Sequence, residues 1–74
     1  MVREFKTNYS AKRMDAIKAA SAASLKGAIR AAIIRIVMRE YDEAQIYHDG
    51  VLVAWVYRNG RRDTGIRIFN TNLL

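Results

Sequence analysis

Two short dipeptides, Asp49-Gly50 and Asn59-Gly60, constrain the fold of this chain more than any other feature of its sequence. From Gln45 onward we interpret the sequence as having the period of two that is typical of strands, and each dipeptide lies between apolar runs. Both central positions of a type I′ hairpin turn need a positive φ, which Asn, Asp and Gly tolerate best. The pattern predicts three consecutive antiparallel strands over Gln45–His48, Val51–Arg58 and Arg61–Phe69.

Two-residue turns would fix the register of these strands, and therefore the face on which each side chain lies. His48 would pair with Val51, and Arg58 with Arg61. The expected core face carries Ile46, His48, Val51, Val53, Trp55, Tyr57, Arg62, Thr64, Ile66 and Ile68. The other face, expected to meet water or a partner, carries Tyr47, Leu52, Ala54, Val56, Arg58, Arg61, Asp63, Gly65, Arg67 and Phe69.

Residues 10–41 predict helix, because they are rich in Ala, Lys, Arg, Ile and Met and contain one Gly and no Pro. Ser10 is the expected N-cap. One continuous helix would be about 48 Å long at about 1.5 Å per residue. The apolar residues lie on one face of this helix in its first half and on a different face in its second half. The region is therefore either one long, curved helix or two helices with a break between Ala20 and Gly27, the second capped by Ser21 or Ser24.

These elements predict a single small α+β domain over residues 1–74, in which a long N-terminal helix packs on a three-stranded antiparallel β-meander. Residues 1–9 would form a basic N-terminal arm, 10–41 the helical part, 45–69 the meander and 70–74 a tail. One helix can cover only one face of such a meander, so the other face is left for water or a partner.

A chain of 74 residues without cysteine has a small core and no disulfide or thiolate metal site to strengthen it. A second copy of the chain is the expected source of further stability. Small residues recur at every fourth position of the predicted helix, a spacing that lets another helix approach closely. The expected homodimer interface comprises Ala16, Ala20, Ser24, Gly27, Ala28 and Ala31. The alternative is a helix that packs closely on its own sheet.

The net positive charge of the chain lies entirely before Asp42. Residues 1–41 hold nine Lys and Arg against three acids, whereas residues 42–74 hold four of each. Such a basic segment attracts a polyanion, because Lys and Arg release the counterions condensed on it. It also steers an acidic protein surface toward itself. The alternative is a solvated helix face without a partner.

Two sets of residues are expected to bind nucleic acid or an acidic protein partner. The first set is basic and comprises Lys12, Arg13, Lys26, Arg30, Arg35 and Arg39. In the second set, aromatic rings flank arginines, as in surfaces that stack bases and in protein–protein hot spots. It comprises Tyr47, Arg58, Arg61, Arg67 and Phe69. Alternatively, the apolar residues of that face bury against a second copy or under the tail.

No motif in the sequence predicts catalysis, a metal or a cofactor. The chain has one histidine, no cysteine and seven scattered acids, and it lacks a glycine-rich phosphate loop. His48 lies beside Asp49 at a turn and is expected to be a strand-end residue. Residues 31–38 form the longest apolar stretch, which is too short for a membrane span. Residues 1–6 alternate charged and apolar side chains and lack the continuous apolar region of a signal peptide, so a cytoplasmic location with no membrane partner is expected.

The sequence thus predicts a small basic protein, not an enzyme, that binds nucleic acid through electrostatic contacts as a homodimer. The alternative is an inhibitor or adaptor of the kind that phages and plasmids encode. Such a protein would bind and modulate a host protein through its exposed sheet face or its basic helix.

Overall fold

A computed structural model describes residues 4–11, 14–60 and 63–74, with only the backbone at 14–17. The strands are β1 (Phe5–Ala11), β2 (Met14–Ala22), β3 (Glu43–His48), β4 (Val51–Arg58) and β5 (Thr64–Ile68). A helix, α1 (Leu25–Val37), connects β2 to β3, and a 3₁₀ turn (Thr71–Leu73) follows β5. The strands form one sheet in the order β2-β1-β3-β4-β5, and all neighbours are antiparallel.

The predicted fold class, a long N-terminal helix on a three-stranded antiparallel meander, is wrong. The predicted helical region is divided between β2 and α1, which has 13 residues. Part of the predicted basic arm belongs to β1, where Phe5, Thr7 and Tyr9 are buried and the residues between them are exposed. The strand β2 is rich in alanine, a strong helix former, but pairing with β1 overrides this weak intrinsic preference.

The helix begins at Ser24, one of the two residues considered as a second N-cap. Ser24 has extended backbone angles (φ −143°, ψ 157°), and its side chain accepts a hydrogen bond from the Gly27 N–H at 3.1 Å. This bond satisfies one of the N–H groups that have no partner within the first turn.

The C-terminus of α1 closes with a left-handed residue. The N–H of Arg39 donates to the carbonyl of Ile36, and the N–H of Glu40 donates to that of Arg35, both at 3.0 Å. This is the hydrogen-bond pattern of a Schellman motif, and Arg39 occupies its left-handed position with φ 63°. Glycine is the usual residue there, so Arg39 holds a backbone conformation that is unfavourable for a side chain of its size.

The core lies between α1 and one face of the sheet. The helix contributes one buried stripe, Leu25, Ala28, Ala32 and Ile36, with the spacing of an amphipathic helix. The sheet contributes Phe5, Tyr9, Ala44, Ile46, Val53, Ala54 and Val56. Since two of the four helix positions are alanines, the helix backbone approaches the sheet closely. Small helix residues at 28 and 32 therefore pack on the chain's own sheet.

The first predicted hairpin is confirmed and the second differs. His48 pairs with Val51, and Asp49 and Gly50 have φ values of 51° and 78°, as a type I′ turn requires. The predicted pairing of Arg58 with Arg61 is wrong, because Arg58 pairs with Thr64. The loop between β4 and β5 is therefore longer than two residues.

A β-bulge interrupts the pairing between β3 and β4. Leu52 pairs with Tyr47 and Ala54 pairs with Ile46, so Val53 has no partner of its own in β3. A bulge of this kind adds one residue to one strand, and the alternation of side chains between the two faces shifts by one after it.

The bulge makes the predicted faces wrong for the second half of β4. Ala54 and Val56 are fully buried in the core, although they were expected on the partner face. Trp55 and Tyr57 alternate with them and lie on the face away from α1, although they were expected in the core. Arg58 was also expected on the partner face, but it lies on the helix side, where it contacts the end of α1.

Candidate functional site

The side of the sheet opposite α1 carries the side chains best suited to contact a ligand. We call this surface the open face. The registers arrange it in rows that cross the strands. Its residues on β1, β3, β4 and β5 are Lys6, Asn8, Ser10, Glu43, Gln45, Tyr47, Leu52, Trp55, Tyr57, Gly65 and Arg67. Lys6, Asn8 and Arg67 are exposed, and the others are partly exposed.

An aromatic pair lies on the β4 part of the open face, beside the edge strand β5. The rings of Trp55 and Tyr57 have centroids 4.4 Å apart and an interplanar angle of 33°. Tilted pairs at this separation attract each other beyond simple area burial. The indole Nε1 of Trp55 is buried and has no hydrogen-bond partner within the described part of the chain. The pair is therefore held by ring contacts rather than by polar anchors.

Glycine at position 65 makes room for this pair. Gly65 is the cross-strand partner of Tyr57, and a Cβ atom at Gly65 would overlap the Tyr57 ring. The ring therefore lies across the β5 backbone, where only glycine permits so close an approach.

Replacing Gly65 with alanine is expected to displace the Tyr57 ring and to lower the free energy of unfolding by about 1–3 kcal/mol. Urea denaturation of the wild type and of Gly65→Ala measures this loss. In a Tyr57→Ala background the ring is gone, so the same replacement should then be nearly neutral. An equal loss in both backgrounds would show that the Tyr57 ring is not the cause.

A chain of hydrogen bonds orders the polar side chains of β3. The Tyr47 hydroxyl donates to Oε1 of Gln45 at 3.1 Å, and Nε2 of Gln45 donates to Oε1 of Glu43 at 3.5 Å. These residues occupy alternate positions and so share one face. They line the side of the aromatic pair nearest β1, because Gln45 is the cross-strand partner of Trp55.

A shallow depression adjoins the open face near the Asp49-Gly50 turn. Its volume is about 520 Å³, and it is lined by Glu4, Lys6, Asn8, Tyr47, Asp49 and Gly50. Two carboxylates and one ammonium group surround it, so it does not carry the strong positive charge of an anion pocket. It extends the open face toward the end of β1.

The basic residues expected to bind a partner do not form one surface. Lys26 and Arg30 are exposed on α1, and Arg39 is exposed just after it. Arg35 is partly buried, and its guanidinium lies 5.0 Å from the centre of the Tyr9 ring. These four residues lie on or beside the helix, on the opposite side of the sheet from Arg67. Lys12, Arg13 and Arg61 lie outside the described residues.

The expected aromatic residues lie at different places. Tyr47 is on the open face, next to Lys6 in β1, which sequence reasoning did not select. Phe69 follows β5 and is 55% exposed, and its N–H donates to the Val53 carbonyl at 2.8 Å.

Arg58 is committed to internal contacts. Its Nε donates to Oδ1 of Asp42 at 3.1 Å, and its Nη2 donates to the carbonyls of Ile36 at 2.8 Å and Tyr41 at 3.1 Å. The guanidinium thus ties the end of β4 to the C-terminus of α1, where a positive charge is favourable. Arg58 is therefore not part of the open face.

The residues expected at a homodimer interface do not share one helix. Ala16 and Ala20 belong to β2, and Ser24 is the N-cap of α1. Ala28 is buried against the sheet, whereas Gly27 and Ala31 are exposed on the helix. The continuous ridge of small residues that suggested a helix crossing is therefore not formed, because the predicted helix is divided at residues 23–24.

Two ionisable side chains near the core, Tyr9 and His48, contact other side chains of the fold. Burial raises the pKa of Tyr9. The nearby positive charge of Arg35 partly offsets this increase, and Tyr41 adds to it. The ring of His48 stacks on Phe5 with centroids 4.3 Å apart, and its Nε2 lies 3.7 Å from Oδ2 of Asp49. Within the described residues, no three His, Cys, Asp or Glu side chains are grouped so that they could hold a metal ion.

Sequence reasoning missed the aromatic pair of the open face and the polar residues that β1 adds to it. Trp55 and Tyr57 were placed in the core because no feature of the sequence locates the bulge at Val53. Lys6 and Asn8 were missed for a different reason, since they were assigned to an arm rather than to a strand. The alternation of Phe5, Thr7 and Tyr9 with polar residues was the signal that could have identified β1.

Comparisons with protein-family models, with curated proteins and with solved structures gave no significant match to this chain. No α-helix in the part of the chain that the structure describes is long and apolar enough to cross a membrane.

Proposed function

We propose that this protein is a small non-enzymatic protein that binds nucleic acid through its open face. The observation that carries the proposal is the Trp55–Tyr57 pair on a sheet surface away from α1, with exposed Lys6 and Arg67 on either side of it. Partly exposed aromatic rings flanked by cations match the two demands of a nucleic acid, which offers flat bases on a phosphate backbone.

The charge of the chain supports the same proposal. The formal net charge is +6 at pH 7, so the whole molecule attracts a polyanion over a long range. Lys6 and Arg67 would contact phosphates directly. Lys26 and Arg30, on the opposite side, would add only this long-range attraction.

A salt titration with two charge-reversed variants tests the proposal. Lys6→Glu/Arg67→Glu changes the open face, and Lys26→Glu/Arg30→Glu makes the same change in net charge on α1. The quantity measured is the binding constant K for a single-stranded oligonucleotide. The open-face variant should make the slope of log K against log salt shallower by about 1.4, since each single-strand phosphate that the protein neutralises adds about 0.7 to the slope. The helix variant should leave the slope nearly unchanged. Loss of the slope in the helix variant alone would contradict the proposal.

A protein partner is the second candidate, and the C-terminal half of α1 favours it. Ile34, Val37 and Met38 are 52%, 55% and 66% exposed, so the basic helix also presents apolar side chains to solvent. Exposed apolar residues beside charged ones are typical of protein-binding surfaces. If no nucleic acid binds even at about 50 mM salt, where electrostatic binding is strong, the inhibitor or adaptor hypothesis becomes the better one. The homodimer and the cytoplasmic location stay predictions.

A further inference from the structure

We infer that the occupant of the open face is a single-stranded segment of nucleic acid whose bases stack on its aromatic side chains, an inference that rests on the proposed function. In a duplex the faces of the bases are covered by their neighbours, so a protein ring can stack only on an unpaired base. A surface whose principal feature is a pair of aromatic rings is therefore poorly suited to bind a duplex.

The positions of the rings provide two places for bases. Trp55 and Tyr57 form one tilted pair of rings in contact with each other. Tyr47 is a diagonal neighbour of Trp55, because it pairs with Leu52 on the other side of the bulge. Diagonal neighbours on a sheet are about 7–8 Å apart, which is far enough for two separate bases. The rings thus mark a path that crosses β3 and β4.

The cations lie at the two ends of this path. Lys6 is on β1 and Arg67 is on β5, with β3 and β4 between them. At about 4.8 Å between neighbouring strands, the two strands are about 14 Å apart. A short single strand laid across the sheet would bring its bases to the rings and its phosphates to these two side chains.

Amide groups lie beside the rings on the same path. Asn8 pairs with Gln45, which in turn pairs with Trp55. Asn and Gln each offer both donors and acceptors to the edge of a base. The exposed Asn8 has these groups available for an unpaired base on the aromatic pair. The Gln45 amide is already oriented by Tyr47 and Glu43.

The outward side of α1 is poorly suited to a duplex. A helix that reads the major groove presents polar and basic side chains along its exposed side. In α1 the exposed basic groups are Lys26 and Arg30 in the first half; in the second half Ile34 and Val37 are exposed, whereas Arg35 is partly buried against the Tyr9 ring. This leaves the open face as the surface with complementary chemistry.

Trp55 is the only tryptophan of the chain, so its fluorescence reports on the site directly. The intact protein would be titrated at low salt with a ten-nucleotide oligothymidylate, the matching RNA and a duplex of equal length. We expect either single strand to quench Trp55 and to bind at least about tenfold more tightly than the duplex, as expected when stacking adds to phosphate contacts. A preference between DNA and RNA would identify which single strand is the natural ligand.

A variant series separates ring stacking from the hydroxyl group. Tyr47→Ala should weaken single-strand binding about tenfold, whereas Tyr47→Phe, which keeps the ring and loses the bond to Gln45, should bind within about threefold of the wild type. Met38→Ala, on the other side of the molecule, is the control. Circular dichroism verifies that each variant is folded.

Two outcomes distinguish the inference from the proposed function. If the duplex binds as tightly as the single strands and Trp55 is not quenched, the single-strand inference is overturned while nucleic-acid binding stands. If no nucleic acid binds at low salt, the proposed function itself fails.

Discussion

Replacing Ile46 with alanine is expected to lower the free energy of unfolding by about 2–5 kcal/mol, the largest effect of any single change considered for this protein. Ile46 is fully buried in β3, which lies between β1 and β4, and it faces α1. The change removes three carbon atoms and leaves a cavity that a close-packed core cannot refill. Domains of this size have about 4–11 kcal/mol of stability, so much of the variant should unfold on mild heating.

The control for this prediction uses the same chemical change at the surface. Ile34→Ala removes the same atoms from a side chain that is 52% exposed on α1. Its effect on the free energy of unfolding should stay within about 0.5 kcal/mol, since alanine also favours the helix. Urea denaturation of both variants makes the comparison. Similar losses for the two would mean that Ile46 does not occupy the packed centre of the fold.

Replacing Arg58 with alanine is expected to lower the free energy of unfolding by about 2–4 kcal/mol. The change removes three hydrogen bonds, two of them to the carbonyls of Ile36 and Tyr41 and one to the Asp42 carboxylate. Hydrogen bonds from a charged donor contribute about 1.5–3 kcal/mol each, and partial exposure of the guanidinium reduces their sum. Denaturant unfolding measures the loss.

Two further arginine variants show whether geometry or charge is responsible. Arg58→Lys keeps the charge but has no planar fork to reach several acceptors at once, so it should recover only part of the stability. Arg67→Ala removes an equal charge from the exposed open face and should be nearly neutral. If Arg58→Lys is as stable as the wild type, charge alone accounts for the role of Arg58.

The C-terminal strands could be predicted because their signals are local. Asp49 and Gly50 encode the left-handed turn conformation in two residues, and the turn sets the pairing of His48 with Val51. Ser24 as a helix cap is a local signal of the same kind. Each depends on residues within a few positions of one another, and therefore each is visible in the sequence.

The strand β2 could not be predicted, because the strand that pairs with it, β1, was itself assigned to an arm. Its alanines favour helix when considered alone, but pairing with β1 and the small space beneath α1 decide the outcome. Ala20 and Ala22 pack against the core there. The candidate site was missed for a related reason. The bulge at Val53 depends on how β3 and β4 fit together, and no residue type in β4 predicts it.

The bulge has a consequence for how this chain can change in length. In β4 the odd-numbered residues face α1 up to Val53, and the even-numbered residues face it from Ala54 onward. A substitution in β4 alters one side chain. Deletion of the extra residue at the bulge would make the side chains of β4 alternate between the two faces without interruption. Leu52 and Ala54 would then be neighbours and keep their pairings with Tyr47 and Ile46, so Trp55 and Tyr57 would stay on the open face. A one-residue deletion at the bulge should therefore be tolerated better than one in the regular part of β4, where the side chains beyond the deletion would change faces.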